Sequence, residues 1–140
     1  GGSEANAGNI ICSSVESGVE INGGVNNTLE ANWIGVDPLD VSHPNSSGGV
    51  TLFGGASGNK IGNTAGAGNI IRRNSGFGVL VNGPTTTNNT IRFNSISNNT
   101  SGGISLLNGA NGNTASPQIT GIGSAFGTAP ALALVDLYVD

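Results

Sequence analysis

Apolar residues in this chain come in short clusters separated by Gly and Asn, and the clusters return in a fixed order. Asn-x-Ile occurs as Asn9–Ile11, Asn32–Ile34, Asn69–Ile71 and Asn94–Ile96. Each is followed by Gly and an apolar-x-apolar triplet, as Gly18-Val19-Glu20-Ile21, Gly49-Val50-Thr51-Leu52, Gly78-Val79-Leu80-Val81 and Gly103-Ile104-Ser105-Leu106. A single apolar anchor follows in three of the four units, at Leu29, Ile61 and Ile91. Side chains alternate across a strand, so Val19 and Ile21 share one face and Glu20 takes the other. Each unit therefore predicts three short strands joined by tight turns.

The strongest internal echo sets residues 1–23 against 61–83. Gly2, Ala5, Ala7, Gly8, Asn9, Ile10, Ile11, Gly18, Val19, Asn22 and Gly23 match their partners, while Cys12 stands opposite Arg72 and Glu20 opposite Leu80. The packing letters recur and the charged ones drift. A strand this short cannot bury its own apolar face, but stacked coils build a continuous core. Stacking at about 4.8 Å predicts one interior column of Ile11, Ile34, Ile71 and Ile96. A second holds Val19, Val50, Val79 and Ile104, and Leu29, Ile61 and Ile91 form part of a third. Asn9, Asn32, Asn69 and Asn94 fall into a column too. Their amides donate and accept, so the column can bond to itself and to turn carbonyls. From Asn to Gly the distance is 9 residues in units one, three and four (18−9, 78−69, 103−94) but 17 in unit two (49−32). Unit two thus carries an eight-residue insertion.

Composition fits this pattern. With 25 Gly and 20 Asn among 140 residues, positive-φ turn formers are abundant. Charged residues make up only 9%, too few for the surface of a helical protein, while a 36% hydrophobic content and a net charge of −4 are far from the signature of disorder. Four basic residues exclude nucleic acid as a partner, because that affinity comes from Lys and Arg at phosphates. No apolar run approaches the ~18–20 residues of a membrane-spanning helix, so membrane insertion is not expected. Cys12 is the single cysteine, which excludes an internal disulfide, and its place opposite Arg72 predicts a turn or solvent-facing position.

The phrases "KIGNTAGAGNIIRRN", "GVTLFGGASGN" and "NNTIRFNSISNN" resemble the right-handed parallel β-helix repeats of large secreted and surface-anchored bacterial proteins, a pectate-lyase-like architecture. The resemblance spans roughly residues 2–113. It implies an all-β, three-sheet solenoid of about four coils over residues 1–115, commonly one section of a longer chain at an extracellular or cell-surface location. Members of that family include polysaccharide lyases and hydrolases as well as adhesin-like and structural segments. Residues 116–140 break the repeat and are expected to be a cap or the start of a β-sandwich. Within them Ala131–Asp140 reads as an uninterrupted strand bearing Leu132, Leu134, Leu137 and Val139. That strand is expected to pair with an open coil edge, of its own chain or of a neighbouring subunit.

Polysaccharide cleavage needs carboxylates that converge on one sheet. Mapped onto the coils, Glu20 has Thr51, Leu80 and Ser105 as counterparts and Glu30 has Gly62 and Arg92. No two carboxylates share a column on adjacent coils, and no catalytic residue, cofactor or metal is expected. The best place for a binding site is the insertion of unit two, with Asp37, Asp40 and His43, since long loops on rigid scaffolds carry binding residues. Two carboxylates and one imidazole are few for a metal cage, so a solvated, protruding loop without an ion is expected. The sequence thus predicts a non-enzymatic structural or adhesive solenoid segment: a stalk, part of an adhesin, or a filament subunit. The alternative is a carbohydrate-binding or carbohydrate-cleaving β-helix whose site lies partly outside this chain. The expected partners are other copies, through open solenoid ends or the C-terminal strand, and a glycan.

Overall fold

A computed structural model describes residues 7–113, 118–119 and 127–128. The first coil holds β1 (Ile10–Ile11), β2 (Ser17–Asn22) and β3 (Thr28–Leu29), and the second β4 (Trp33–Ile34), β5 (Gly48–Phe53) and β6 (Lys60–Ile61). The third holds β7 (Ile70–Arg72), β8 (Phe77–Asn82) and β9 (Thr90–Ile91), and the fourth β10 (Ser95–Ser97) and β11 (Gly102–Leu107). Equivalent strands stack into three parallel sheets, ordered β1-β4-β7-β10, β2-β5-β8-β11 and β3-β6-β9. The protein is a parallel β-solenoid. Among the described residues three coils are complete and a fourth has two strands, slightly fewer than the expected four. A short turn, Ala110–Asn113, occupies the place of its third. Beyond it, β12 (Gln118–Ile119) and β13 (Gly127–Thr128) form an antiparallel pair. The strand expected over Ala131–Asp140, with Leu132, Leu134, Leu137 and Val139, lies outside the described residues.

Register follows the repeated letters. Ile11 pairs with Ile34, Ile34 with Ile71 and Ile71 with Ile96. Val19, Val50, Val79 and Ile104 are in register in the second sheet, with Ile21, Leu52, Val81 and Leu106 in parallel two residues on. Leu29, Ile61 and Ile91 form the third column. In the middle coils Ile34, Ile71, Val50, Val79, Leu52, Val81 and Ile61 have no solvent exposure. Burial does not extend to both ends of every column. Ile104 is 40% exposed, against the expectation of a buried position, because no further coil of the described chain covers it. Val19 and Ile11 are half-buried for the same reason at the other end.

In the first three coils the Gly at the second position of the long strand is fixed by crowding. A methyl group on Gly49 would lie 2.5 Å from both Ile71 Cγ2 and the Gly78 carbonyl oxygen, and one on Gly78 would lie 2.5 Å from Ile96 Cγ2. The bulk of the Ile column thus requires a column without side chains beside it.

Candidate functional site

Two polar features stand out on this scaffold: the corners between sheets and the insertion of the second coil. At the corner before the first sheet, the backbone N–H and Nδ2 of Asn9 donate to Asn32 Oδ1 at 3.1 and 2.9 Å. Asn32 donates in the same way to Asn69 (3.1 and 2.9 Å) and Asn69 to Asn94 (3.0 and 2.8 Å). The second Nδ2 hydrogen of Asn69 goes to the Leu29 carbonyl, and that of Asn94 to the Ile61 carbonyl. This ladder unites the four expected Asn.

Two further ladders escaped the sequence reading. Between the first and second sheets, Asn45 donates through N–H and Nδ2 to Asn74 Oδ1 (3.3 and 2.8 Å) and Asn74 to Asn99 Oδ1 (3.1 and 2.9 Å). Ser14 fills the first-coil position and donates only its backbone N–H, to Asn45 Oδ1. Before the third sheet, Asn27 donates to Asn59 and Asn59 to Asn89, all at 2.9–3.0 Å, and Asn89 N–H reaches Asn111 Oδ1 in the terminal turn. The signals were present. Asn45, Asn74 and Asn99 each precede the column Gly by four residues, and Asn27, Asn59 and Asn89 each precede the apolar anchor by two.

Several residues just ahead of a ladder Asn take a left-handed backbone to turn the corner, including Ala31 (φ 56), Arg73 (φ 58) and Phe93 (φ 60). Outside Gly and Asn this conformation is costly. The rungs hold it in place: a buried amide without a partner costs more than the turn.

The insertion forms a hairpin. Gly35 (φ 88) opens it where a Cβ would sit 2.2 Å from the Arg72 carbonyl oxygen, and Val36 is bridged antiparallel to Ser42. Asp37 Oδ1 accepts the backbone N–H groups of Leu39 and Val41, both at 2.9 Å, and so shapes the turn. Asp40 faces the third coil. Its carboxylate accepts from Arg73 Nη2 at 2.5 Å and lies 3.4 Å from Arg72 Nη1, while Arg72 Nη2 donates to Ser95 Oγ. His43 Nε2 is 3.8 Å from Asp37 Oδ2. Asp37 and His43 are thus brought together, and Asp40 is turned away from them to two guanidinium groups. The tip is exposed, but the hairpin is tied down on the next coil. Among the described residues no three His, Cys, Asp or Glu side chains converge as metal ligands.

Beside the hairpin, Trp33 points outward between Ile10 and Ile70, its register partners. A depression of about 130 Å³ lies between it and Pro38, Asp40 and Arg72, and one of about 190 Å³ between it and Ala31, Gly66 and Gly68. Both are smaller than the few hundred Å³ of an ordinary small-molecule site. Cys12 is half-buried below the hairpin with Sγ 3.4 Å from the Val36 carbonyl oxygen. Burial pushes its thiol pKa up, the Gly35 backbone offsets part of this, and the Asp37 charge adds the smallest rise. A thiol held protonated is a poor nucleophile. No family model, curated protein or solved structure matches this chain.

Proposed function

We propose that this chain is a non-enzymatic structural segment of an extracellular or cell-surface solenoid protein, a rigid stalk, adhesin section or filament unit of the bacterial β-helix type that its repeats resemble. The observation that carries this is the set of three asparagine ladders. Fully buried polar side chains such as Asn32, Asn45, Asn59, Asn69 and Asn74 are committed to bonds between coils, which leaves them no role in binding a substrate. The charged groups of the hairpin are committed as well, Asp37 to its own turn and Asp40 to Arg72 and Arg73. Chemistry spent on holding coils together suits a spacer.

Incubation with pectin, alginate and xylan, followed by assays for unsaturated ends and reducing ends, tests this. No turnover is expected, and a rate that depends on any carboxylate of the chain overturns it.

A second reading is favoured by Trp33. An outward indole between two shallow depressions suits the apolar face of a pyranose ring, so the segment would hold a glycan rather than cut it. Trp33 is the single Trp, so its fluorescence reports binding directly. A saturable shift with an oligosaccharide, lost in Trp33→Ala, would establish that reading. An unchanged spectrum would remove it.

A further inference from the structure

A regular coil needs only short corners, and the stack departs from this most at two places. From the apolar anchor to the next ladder Asn the distance is 3 residues at Leu29–Asn32 and Ile91–Asn94 (32−29, 94−91) but 8 at Ile61–Asn69 (69−61). This insertion of five residues (8−3) lies ahead of β7, and the hairpin follows β4, so the two stand at opposite ends of the first sheet. Both border the same side chain. Trp33 and Ile70 form a common floor, with Pro38 and Asp40 of the hairpin beside it in one depression and Gly66 and Gly68 of the second insertion beside it in the other.

Both walls are held in place. Thr64 N–H donates to Glu30 Oε1 at 2.8 Å, Ala67 N–H to the Thr64 carbonyl at 3.0 Å and Ala31 N–H to the Ala67 carbonyl at 2.8 Å. The hairpin is pinned by the Asp37 turn and by Asp40 on Arg72 and Arg73. A groove whose walls are already ordered loses little entropy on filling. Neither insertion contributes to the stacked Ile, Val and Leu columns, so the coils do not need them.

The floor lies on a sheet face, where backbone N–H and C=O groups are spent on neighbouring coils. An extended peptide would find no strand edge to pair with there. What the groove offers is an aromatic surface and side-chain polar groups. Asp40 accepts from Arg73 and lies a long 3.4 Å from Arg72 Nη1. A carboxylate has about four acceptor positions and a guanidinium five donors, so both partners keep spare capacity. Such a pair accepts from one hydroxyl group and donates to the next, which is what a vicinal diol requires. Two carboxylates, Asp37 and Asp40, are matched at this wall by two guanidinium groups, Arg72 and Arg73.

We propose that this groove binds a neutral glycan, with one pyranose ring on Trp33 and a vicinal pair of its hydroxyl groups bridging Asp40 and Arg72. The proposal rests on the glycan reading above and names the ligand class of that site. A uronate would bring a third carboxylate to Asp37 and Asp40, and an amino sugar a third cation to Arg72 and Arg73. Neither finds an unmatched counter-charge at the wall.

Fluorescence titration of Trp33 tests this with neutral hexasaccharides of β-1,4-linked glucose, mannose and xylose, and with the α-1,4-galacturonate hexamer. At least one neutral probe is expected to give a saturable shift whose midpoint changes less than about two-fold between about 0.1 M and about 1 M salt, because no net charge attracts it. Arg72→Gln is expected to weaken that binding about ten-fold, as loss of one hydrogen bond from a charged group does. Asp40→Asn leaves the wall with one unmatched positive charge and is expected to bring the galacturonate hexamer into binding. Should Arg72→Gln fail to fold, Asp40→Asn on the exposed hairpin carries the same test. Tighter binding of galacturonate than of every neutral probe by the unaltered chain overturns the neutral class and keeps the glycan reading. A neutral-probe shift that neither variant alters overturns the diol bridge. No shift with any sugar sinks both the proposal and the glycan reading, as does a shift given only by a blocked Val-Thr-Val-Thr-Val-Thr peptide.

Discussion

The asparagine corners and the second-coil hairpin are both polar networks that join neighbouring coils, yet they are built from opposite chemistry. At the corners every member is neutral and carries both donor and acceptor, so each rung can be repeated above and below. In the hairpin one carboxylate, Asp40, faces two guanidinium groups. Charges cannot be stacked in this way, because like charges on successive coils repel and each would need desolvation. The corners are buried and continuous, whereas the hairpin cluster is half exposed and occurs once. Arg72 Nε and Arg73 Nε even lack hydrogen-bond partners among the described residues. The ladder should therefore dominate stability, and the hairpin should matter little.

The largest effect is expected from Asn69→Asp. The carboxylate keeps the acceptor for Asn32 but sets an oxygen's lone pairs against two other acceptors, the Leu29 carbonyl and Asn94 Oδ1, to which Nδ2 now donates. Burial raises the carboxyl pKa in the folded state, so the loss is greatest at neutral pH and is partly recovered as pH falls and the carboxyl becomes a donor. Denaturant melts at neutral and acidic pH check both the size and the sign. Asn69→Ala removes four side-chain bonds and is expected to cost about 4 kcal/mol, since orphaned buried groups cost about 1–3 kcal/mol each and only some find water. A loss below about 1 kcal/mol would mean that the ladder is ornamental.

Gly49→Ala sharpens the contrast from the packing side. Its methyl group would meet Ile71 Cγ2 and the Gly78 carbonyl at 2.5 Å, and Asn74 Nδ2 at 3.2 Å, so it strains the Ile column and a ladder rung together. A cost of about 2–3 kcal/mol is expected, measured by thermal or urea unfolding. Asp40→Ala should cost less than about 1 kcal/mol, as exposed ion pairs do. If it matched Asn69→Ala, the hairpin would rank with the corners and the comparison would fail. The smallest effect concerns Cys12: its raised pKa predicts slower alkylation at neutral pH than a free thiol, measurable with iodoacetamide and unchanged in rate order by Asp40→Ala.

How much of this was legible depends on where each signal sits. The Ile columns and the first ladder could be read because Ile follows Asn by two residues, with Asn at the corner and Ile in the strand it leads into, and the pair recurs four times. The second ladder could not, since Ser14 breaks it in the first coil and the hairpin separates Ile34 from Asn45 in the second. The third uses the same Asn-x-apolar spacing as the first, but Asn26 and Asn88 stand beside Asn27 and Asn89 and hide which Asn faces inward. The position of the hairpin was readable from the 17-residue spacing. Its contacts were not: Asp40 meets Arg72 and Arg73 only because β4 and β7 are adjacent in the sheet. Ile104 carries the same letters as its buried equivalents, and its exposure is a property of the stack's end.

Hydrogen exchange of the Asn side-chain amides tests most directly whether the ladders hold the coils together. The Nδ2 protons of Asn32, Asn59, Asn69 and Asn74 donate to rungs above and carbonyls below or beside them, so they should exchange only on global unfolding and slow together with the core backbone amides. Those of Asn26, Asn88 and Asn98, which lie exposed at the turns, should exchange at the rate of free amides. Slow exchange confined to the first set is the expected result, and a single fast rate for both sets would contradict it.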